Sequence, residues 1–227
     1  MKEYNLDDLA AFARIDQQNM LEHIEGLPAQ LQEAWDSGLR MPQPAYHGIR
    51  QVLIAGMGGS AIGADLLAAY AAPACPIPIT VHRDYDLPAW AKGPETLVIA
   101  SSHSGNSEET LSSFALARQN GCRVMVVATG GKLMQAAREA GIPAWVFEHK
   151  GQPRAAVGFS FGLLLAALAR LEVLPDPSVE LAAAIQTMRE QQASLRPEVP
   201  AARNPAKRMA GQLVERWVTV FGSGILA

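Results

Sequence analysis

The chain has 227 residues, with 19 Lys and Arg against 22 Asp and Glu and a formal net charge of -3. That balance supplies no basic surface for a nucleic-acid partner, and the length suits one large domain or one and a half ordinary ones. The two cysteines, Cys75 and Cys122, stand in unrelated contexts without CxxC or CxxH spacing, which argues for a reduced protein without a metal site over a disulfide or zinc scaffold.

Two helix-like segments open the chain, at about 6 to 14 and 17 to 37. The second carries Met20, Ile24, Leu27, Leu31 and Trp35 at spacings of three and four, a stripe that predicts core contact. The opening residues, MKEYNLDDLAAFARID, scatter acidic groups and hold no uninterrupted apolar stretch, unlike a signal peptide, so a cytoplasmic location is expected. Short runs rich in Val and Ile follow: RQVLIAG (50 to 56), PITVHR (78 to 83), ETLVIAS (95 to 101), CRVMVVA (122 to 128) and PAWVFE (143 to 148). They predict five strands. Helical runs at about 60 to 71, 107 to 119 and 131 to 140 separate most of them. The alternation predicts the α/β class, a parallel sheet flanked by helices on both faces, because parallel strands need crossover connections.

Further on, the apolar stretch AAVGFSFGLLLAALARL (155 to 171) falls short of the roughly 20 residues that span a bilayer. It predicts a buried helix and no membrane role. A break at EVLPDPS precedes a helix near 178 to 195, then the Pro-interrupted segment RPEVPAARNPAK (196 to 207), which reads as an interdomain connection. A helix at about 205 to 213 leads to WVTVF, read as a sixth strand ending in a glycine-rich turn. The division expected is N-terminal helices in 1–40, an α/β domain in 41–175, connecting helices in 176–213, and the start of a further domain in 214–227.

Two strands empty into unusual loops. The first runs into Gly56, Gly58, Gly59 and Ser60; the third runs into SSHSGNSEET (101 to 110). Each then enters a helix, whose N-terminus offers unpaired N–H donors and a partial positive charge to an anion. Asn106 with Glu109 also fits a plain capping box, and Glu108 and Glu109 fit first-turn dipole partners. The dinucleotide pattern G-x-G-x-x-G fails, since its third position is wrong and the second strand ends in His82 and Arg83, not in an acid; a Walker lysine is absent too. In a sheet of order 2-1-3-4-5, strands one and three meet at the topological switch point. Ser60 would then converge with Ser102, Ser104 and Ser107 on one phosphate, a neutral hydroxyl cradle without Lys or Arg.

With GMGGSAIGADLL (56 to 67), SSHSGNSEETL (101 to 111), GQPRAAVGFSFG (151 to 162), the N-terminal RIDQQNMLEHIEGLPAQLQEAW and the final WVTVFGSGILA, the chain resembles the sugar isomerase (SIS) superfamily, specifically the bifunctional phosphoglucose/phosphomannose isomerases. The resemblance implies a flavodoxin-like SIS sheet, hexose 6-phosphate ligands, a homodimer, and neither metal nor cofactor. It implies further that Ser102, Ser104 and Ser107 hold the 6-phosphate, that Gly58, Gly59 and Ser60 line the sugar, and that Arg154 stabilises the enediolate. By residue type alone, Arg154 also fits an ion pair or a helix cap, while His103 and His149 fit packing or surface roles. The family's carboxylate base and ring-opening histidine would lie beyond Ala227, so the chain is expected to be incomplete for catalysis. The competing reading is a sugar-phosphate-binding module without chemistry.

Overall fold

The computed structural model describes residues 5–222. Helices α1 (Leu9–Ile15), α2 (Met20–Glu25) and α3 (Leu27–Arg40) precede an alternating series: β1 (Gln51–Ala55), α4 (Gly58–Ala71), β2 (Ile79–His82), β3 (Thr96–Ser102), α5 (Glu108–Gln119), β4 (Arg123–Ala128), α6 (Gly131–Glu139) and β5 (Ala144–Val146). A 3-10 turn (Pro153–Ala155) then leads into α7 (Val157–Arg170), α8 (Ser178–Leu195) and α9 (Pro205–Leu213). All five strands pair in parallel in the order β2-β1-β3-β4-β5. This is the sheet expected from the alternation of apolar runs and helices.

The strand sequences lack hydrophobic alternation because both faces of the sheet are covered. Val52 and Ile54 of β1, with Leu97 and Ile99 of β3, face a cluster built from α3, α4, α7 and α8 that includes Leu31, Trp35, Leu67, Leu164 and Leu181. Leu53, Val98, Val124 and Val126 face the opposite cluster, with Phe114 of α5 and Leu133 of α6. Seven consecutive residues of β3, Thr96 through Ser102, are buried. Each fully buried large aliphatic side chain contributes about 1.5–3 kcal/mol by leaving water, so this pair of clusters dominates the stability. No helix among the described residues is long and apolar enough to cross a membrane.

Helices α3 and α7 approach through small residues. A Cβ at Gly162 would lie 2.7 Å from the Ala34 Cβ, and one at Gly158 would lie 2.8 Å from the Gln30 Cβ. Arg170, at the end of α7, ties the pair further by donating to the carbonyls of Gly38 and Met41, both at 2.6 Å. The two N-terminal helices expected from the sequence become three, since the segment 17 to 37 divides at Gly26. Leu31 and Trp35 are core as the stripe predicts, but Ile24, on the short α2, is exposed.

The predicted strand WVTVF does not form. Residues 217–221 carry no ladder bonds, and Trp217, Val220 and Phe221 stand almost fully exposed. High β-propensity is realised only against a neighbouring strand, and the five strands here pair with one another. The remainder of the glycine-rich turn, from residue 223 onward, lies outside the described residues.

The α3–α7 contact sets a stability test. Gly162→Val forces branched methyls into the close approach at Ala34 and should cost about 1–3 kcal/mol, the usual penalty of overpacking. A urea titration followed by far-UV circular dichroism reads this as a lowered midpoint with an unchanged slope.

Candidate functional site

Strands β1 and β3 are neighbours whose crossovers leave on opposite faces of the sheet, so the loops after them meet at its C-terminal edge. They are joined directly there. The Ser60 hydroxyl, 5% exposed in the first turn of α4, accepts the His103 backbone N–H at 3.1 Å. The approach requires glycine at Gly56, where a Cβ would lie 2.8 Å from the Ser101 carbonyl oxygen.

The hydroxyl loop is internally braced. Ser102 Oγ accepts the Gly105 N–H at 3.1 Å and lies 3.3 Å from Ser107 Oγ, and Ser104 Oγ accepts the Asn106 N–H at 3.2 Å. Gly105 has φ +66°, a left-handed conformation that L side chains resist. Ser60 and Ser102 are thus buried struts, while Ser104 is exposed and Ser107 half-buried at the mouth. Ser107 is the N-cap of α5, yet its side chain makes no capping hydrogen bond to that helix; nor does the side chain of Met57, the N-cap of α4. The capping-box reading of Asn106 and Glu109 is corrected: Asn106 Oδ1 instead accepts the Lys132 N–H at 3.1 Å, outside its own helix. Two helix N-termini with uncapped donors therefore point to one edge of the sheet, an arrangement suited to an anion.

A third loop, missed in the sequence, supports the other two. Thr129 Oγ1 donates to the His103 carbonyl at 2.6 Å, and the Leu133 N–H donates to the Gly105 carbonyl at 2.9 Å. A Cβ at Gly105 would collide with the Gly130 carbonyl. The signal was present in ATGGK (128 to 132), where β4 runs through a hydroxyl and two glycines into a helix, the same grammar as the other loops.

The tract carrying Arg154 closes one side. A Cβ at Gly59 would lie 2.6 Å from the Pro153 carbonyl oxygen and 3.2 Å from the Arg154 nitrogen, so the glycine loop and this tract touch backbone to backbone. Gly58 beside it is exposed, with φ +50°. Arg154 itself is exposed; its Nη1 lies 3.4 Å from Gln152 Oε1, and among the described residues it makes no ion pair. Glu108 is occupied by the Tyr85 hydroxyl, which donates to it at 3.0 Å.

Histidines also gather here. His103 Nε2 and His149 Nδ1 share a hydrogen bond at 2.9 Å, and the His23 ring lies 5.3 Å from that of His149. Burial holds the His103 imidazole below the ordinary histidine value. His149 is held down by burial first, then by the nearness of His103 and His23. Among the described residues no three His, Cys, Asp or Glu side chains are placed to hold a metal ion.

No family model matches the chain. The bifunctional phosphoglucose/phosphomannose isomerase of Caldicellulosiruptor bescii is 37% identical over 204 residues, 89% of this chain and 60% of that protein. The protein of the same name from Thermoplasma acidophilum is 38% identical over 109 residues, 48% of this chain and 32% of its own. The chain therefore spans about three fifths or less of the length of these curated relatives. Among solved structures, a hypothetical protein from Thermus thermophilus superposes with a TM-score of 0.61 at 22% identity, covering 92% of this chain and 51% of that one. The C-terminal domain of glucosamine-fructose-6-phosphate aminotransferase from Francisella tularensis gives 0.53 at 15% identity, covering 78% and 54%. At such identities the structures speak to fold, and the sequence match speaks to kinship. The chain shares the fold of these solved structures and, over the part of their length that it spans, is similar in sequence to the bifunctional phosphoglucose/phosphomannose isomerases.

Proposed function

We propose that the chain forms the phosphate-holding part of an aldose–ketose isomerase that interconverts glucose 6-phosphate or mannose 6-phosphate with fructose 6-phosphate. The observation that carries this reading is the Ser60–His103 bond, which draws two uncapped helix N-termini to one point at the switch of the sheet. A phosphate there accepts from the N–H groups at the start of α5 and from the hydroxyls of Ser104 and Ser107. Ser102 acts chiefly by bracing that loop. The sugar lies along Gly58, Gly59 and Ser60, where the absence of side chains leaves room beside the backbone.

Isomerisation removes a proton from one of the two carbons C1 and C2 and returns one to the other, and the electron pair resides meanwhile in an enediolate. Its oxygens carry the negative charge. A guanidinium fixed beside them lowers the barrier because the attraction is larger in the intermediate than in the neutral sugar. Arg154 suits that role, being a cation that makes no ion pair among the described residues, on a tract packed against the glycine loop. The division into a helical N-terminal segment, an SIS domain over 41–175 and connecting helices fits the same reading, as do a cytoplasmic setting and a paired subunit. The exposed Ile62, Leu66 and Tyr70, spaced by four along α4, give such a pair an apolar surface to cover.

A second reading, a binding module without chemistry, draws support from Glu108, whose engagement with Tyr85 leaves it poorly placed as a general base. The two readings separate in an assay that couples fructose 6-phosphate formation or consumption to a dehydrogenase reporter.

Ser104→Ala combined with Ser107→Ala should weaken fructose 6-phosphate binding at least tenfold, about 1.4 kcal/mol, through loss of hydrogen bonds to an anion. Calorimetry measures it, and unchanged affinity would refute the placement of the phosphate. Where turnover is seen, Arg154→Ala should lower kcat by about a hundredfold while changing KM much less, the pattern of a group that acts on the intermediate. An equal loss in binding would instead assign Arg154 to the ground state.

A further inference from the structure

The segment between β5 and the 3-10 turn, residues 147–152, belongs to no helix or strand, and it leads directly into the turn that carries Arg154. Few bonds hold it. Gln152 Nε2 lies 3.3 Å from Gln18 Oε1, the Gln152 carbonyl accepts the Ala155 N–H at 2.8 Å, and the Phe147 N–H donates to the Ala128 carbonyl at 3.4 Å. Among the described residues, the 2.9 Å contact between His149 Nδ1 and His103 Nε2 is the one hydrogen bond that joins this segment to the hydroxyl loop.

The surroundings of that bond are largely apolar. Phe147 meets the His103 ring edge-on at 5.9 Å, and Phe159 of α7 meets the His149 ring at 6.1 Å. From α2 comes His23, which lines a cleft of about 440 Å³ with Glu22, Gln30 and Lys150. Gly151 presses on the same group: a Cβ there would lie 2.6 Å from His23 Nε2 and 3.1 Å from His149 Cε1. From α4, Ser60 engages the backbone N–H of His103 and not its ring. Among the described residues no carboxylate forms an ion pair with either ring.

His149 Nε2 is buried without a partner, which selects the tautomer. An orphaned buried N–H is costlier than an orphaned lone pair, so the proton of His149 sits on Nδ1 and is donated to a bare Nε2 on His103. A proton arriving on that Nε2 would set two N–H groups against each other. We propose that the His103–His149 hydrogen bond is a latch that holds the hydroxyl loop to the Arg154 tract, with both histidines as positioning residues for the sugar-phosphate cradle. The latch rests on the cradle reading given above. Burial depresses both imidazoles in the latched form, so that form binds fewer protons than the open one. The latch is accordingly complete above the ordinary histidine value, about 6.5, and is progressively lost as pH falls below it.

Two variants and one spectrum test this. His149→Asn keeps a hydrogen-bonding amide near the Nδ1 position and does not titrate; His149→Phe keeps a ring among Phe147, Phe159 and His23 but cannot bond. At pH 7.5, His149→Phe should bind fructose 6-phosphate at least fivefold more weakly than the unmodified chain, and His149→Asn within about twofold. Between pH 7.5 and 5.5 the unmodified chain should lose at least fivefold relative to His149→Asn, a ratio in which the ligand's own phosphate titration cancels. If both variants follow the unmodified chain at both pH values, the histidines only pack and the latch is refuted. If no form binds fructose 6-phosphate, the cradle reading has failed, and nitrogen-15 spectra of the ligand-free chain then decide the latch by themselves. A protonated, hydrogen-bonded His149 Nδ1 facing an unprotonated His103 Nε2 at pH 7.5, lost by pH 5.5, supports it; two solvent-like imidazoles at pH 7.5 overturn it.

Discussion

The site depends on one buried hydroxyl. Ser60 Oγ accepts the His103 N–H, and in doing so fixes the spacing between the start of α4 and the loop that starts α5. A bond of this kind contributes only about 1 kcal/mol net, but a backbone N–H buried without it would cost more, which is why the loop closes onto the serine and not onto water. Once that distance is set, Gly56 has no room for a side chain against the Ser101 carbonyl, and Gly59 has none against Pro153. The glycines are thus consequences of the contact as much as its cause.

The sheet delivers these loops to one edge, and the helices deliver the Arg154 tract. Helix α7 can follow that tract at this height only because Gly158 and Gly162 let it lie close on α3. Arg170, at its far end, ties the pair by donating to the carbonyls of Gly38 and Met41. A hydrophobic core that looks remote from the chemistry therefore sets the elevation of Arg154, a cation that makes no ion pair among the described residues. The same economy explains the exposed position of Arg154, which is held by its backbone while its guanidinium reaches only the neighbouring Gln152 Oε1, at 3.4 Å, among the described residues.

Much of this was legible in the sequence. Continuous apolar runs such as LVIA in β3 declared a sheet covered on both faces, and the order followed from a pattern that recurs in doubly wound sheets. The serines of the hydroxyl loop were visible as types, but their division of labour was not, since only geometry distinguishes the buried strut Ser102 from the exposed Ser104. His149 was unreadable for a related reason: its partner His103 lies 46 residues away, and no local spacing encodes a contact across two crossovers. The split of the second helix at Gly26 and the unpaired WVTVF failed differently. Periodicity and propensity described each segment correctly in isolation, and tertiary partners decided the outcome.

The loops after β3 and β4 are interlocked in both directions. A side chain at Gly105 would strike the Gly130 carbonyl, and one at Gly131, itself at φ +73°, would strike the carbonyl of Ser104. Each backbone is the other's wall. Surface loops of most proteins drift in length and sequence because extra residues cost little entropy, but here an inserted residue after β4 would be transmitted straight to the serines. The two loops must change together or not at all, and ligand preference in a fold built this way is free to diversify only around the rim, where no second backbone stands guard.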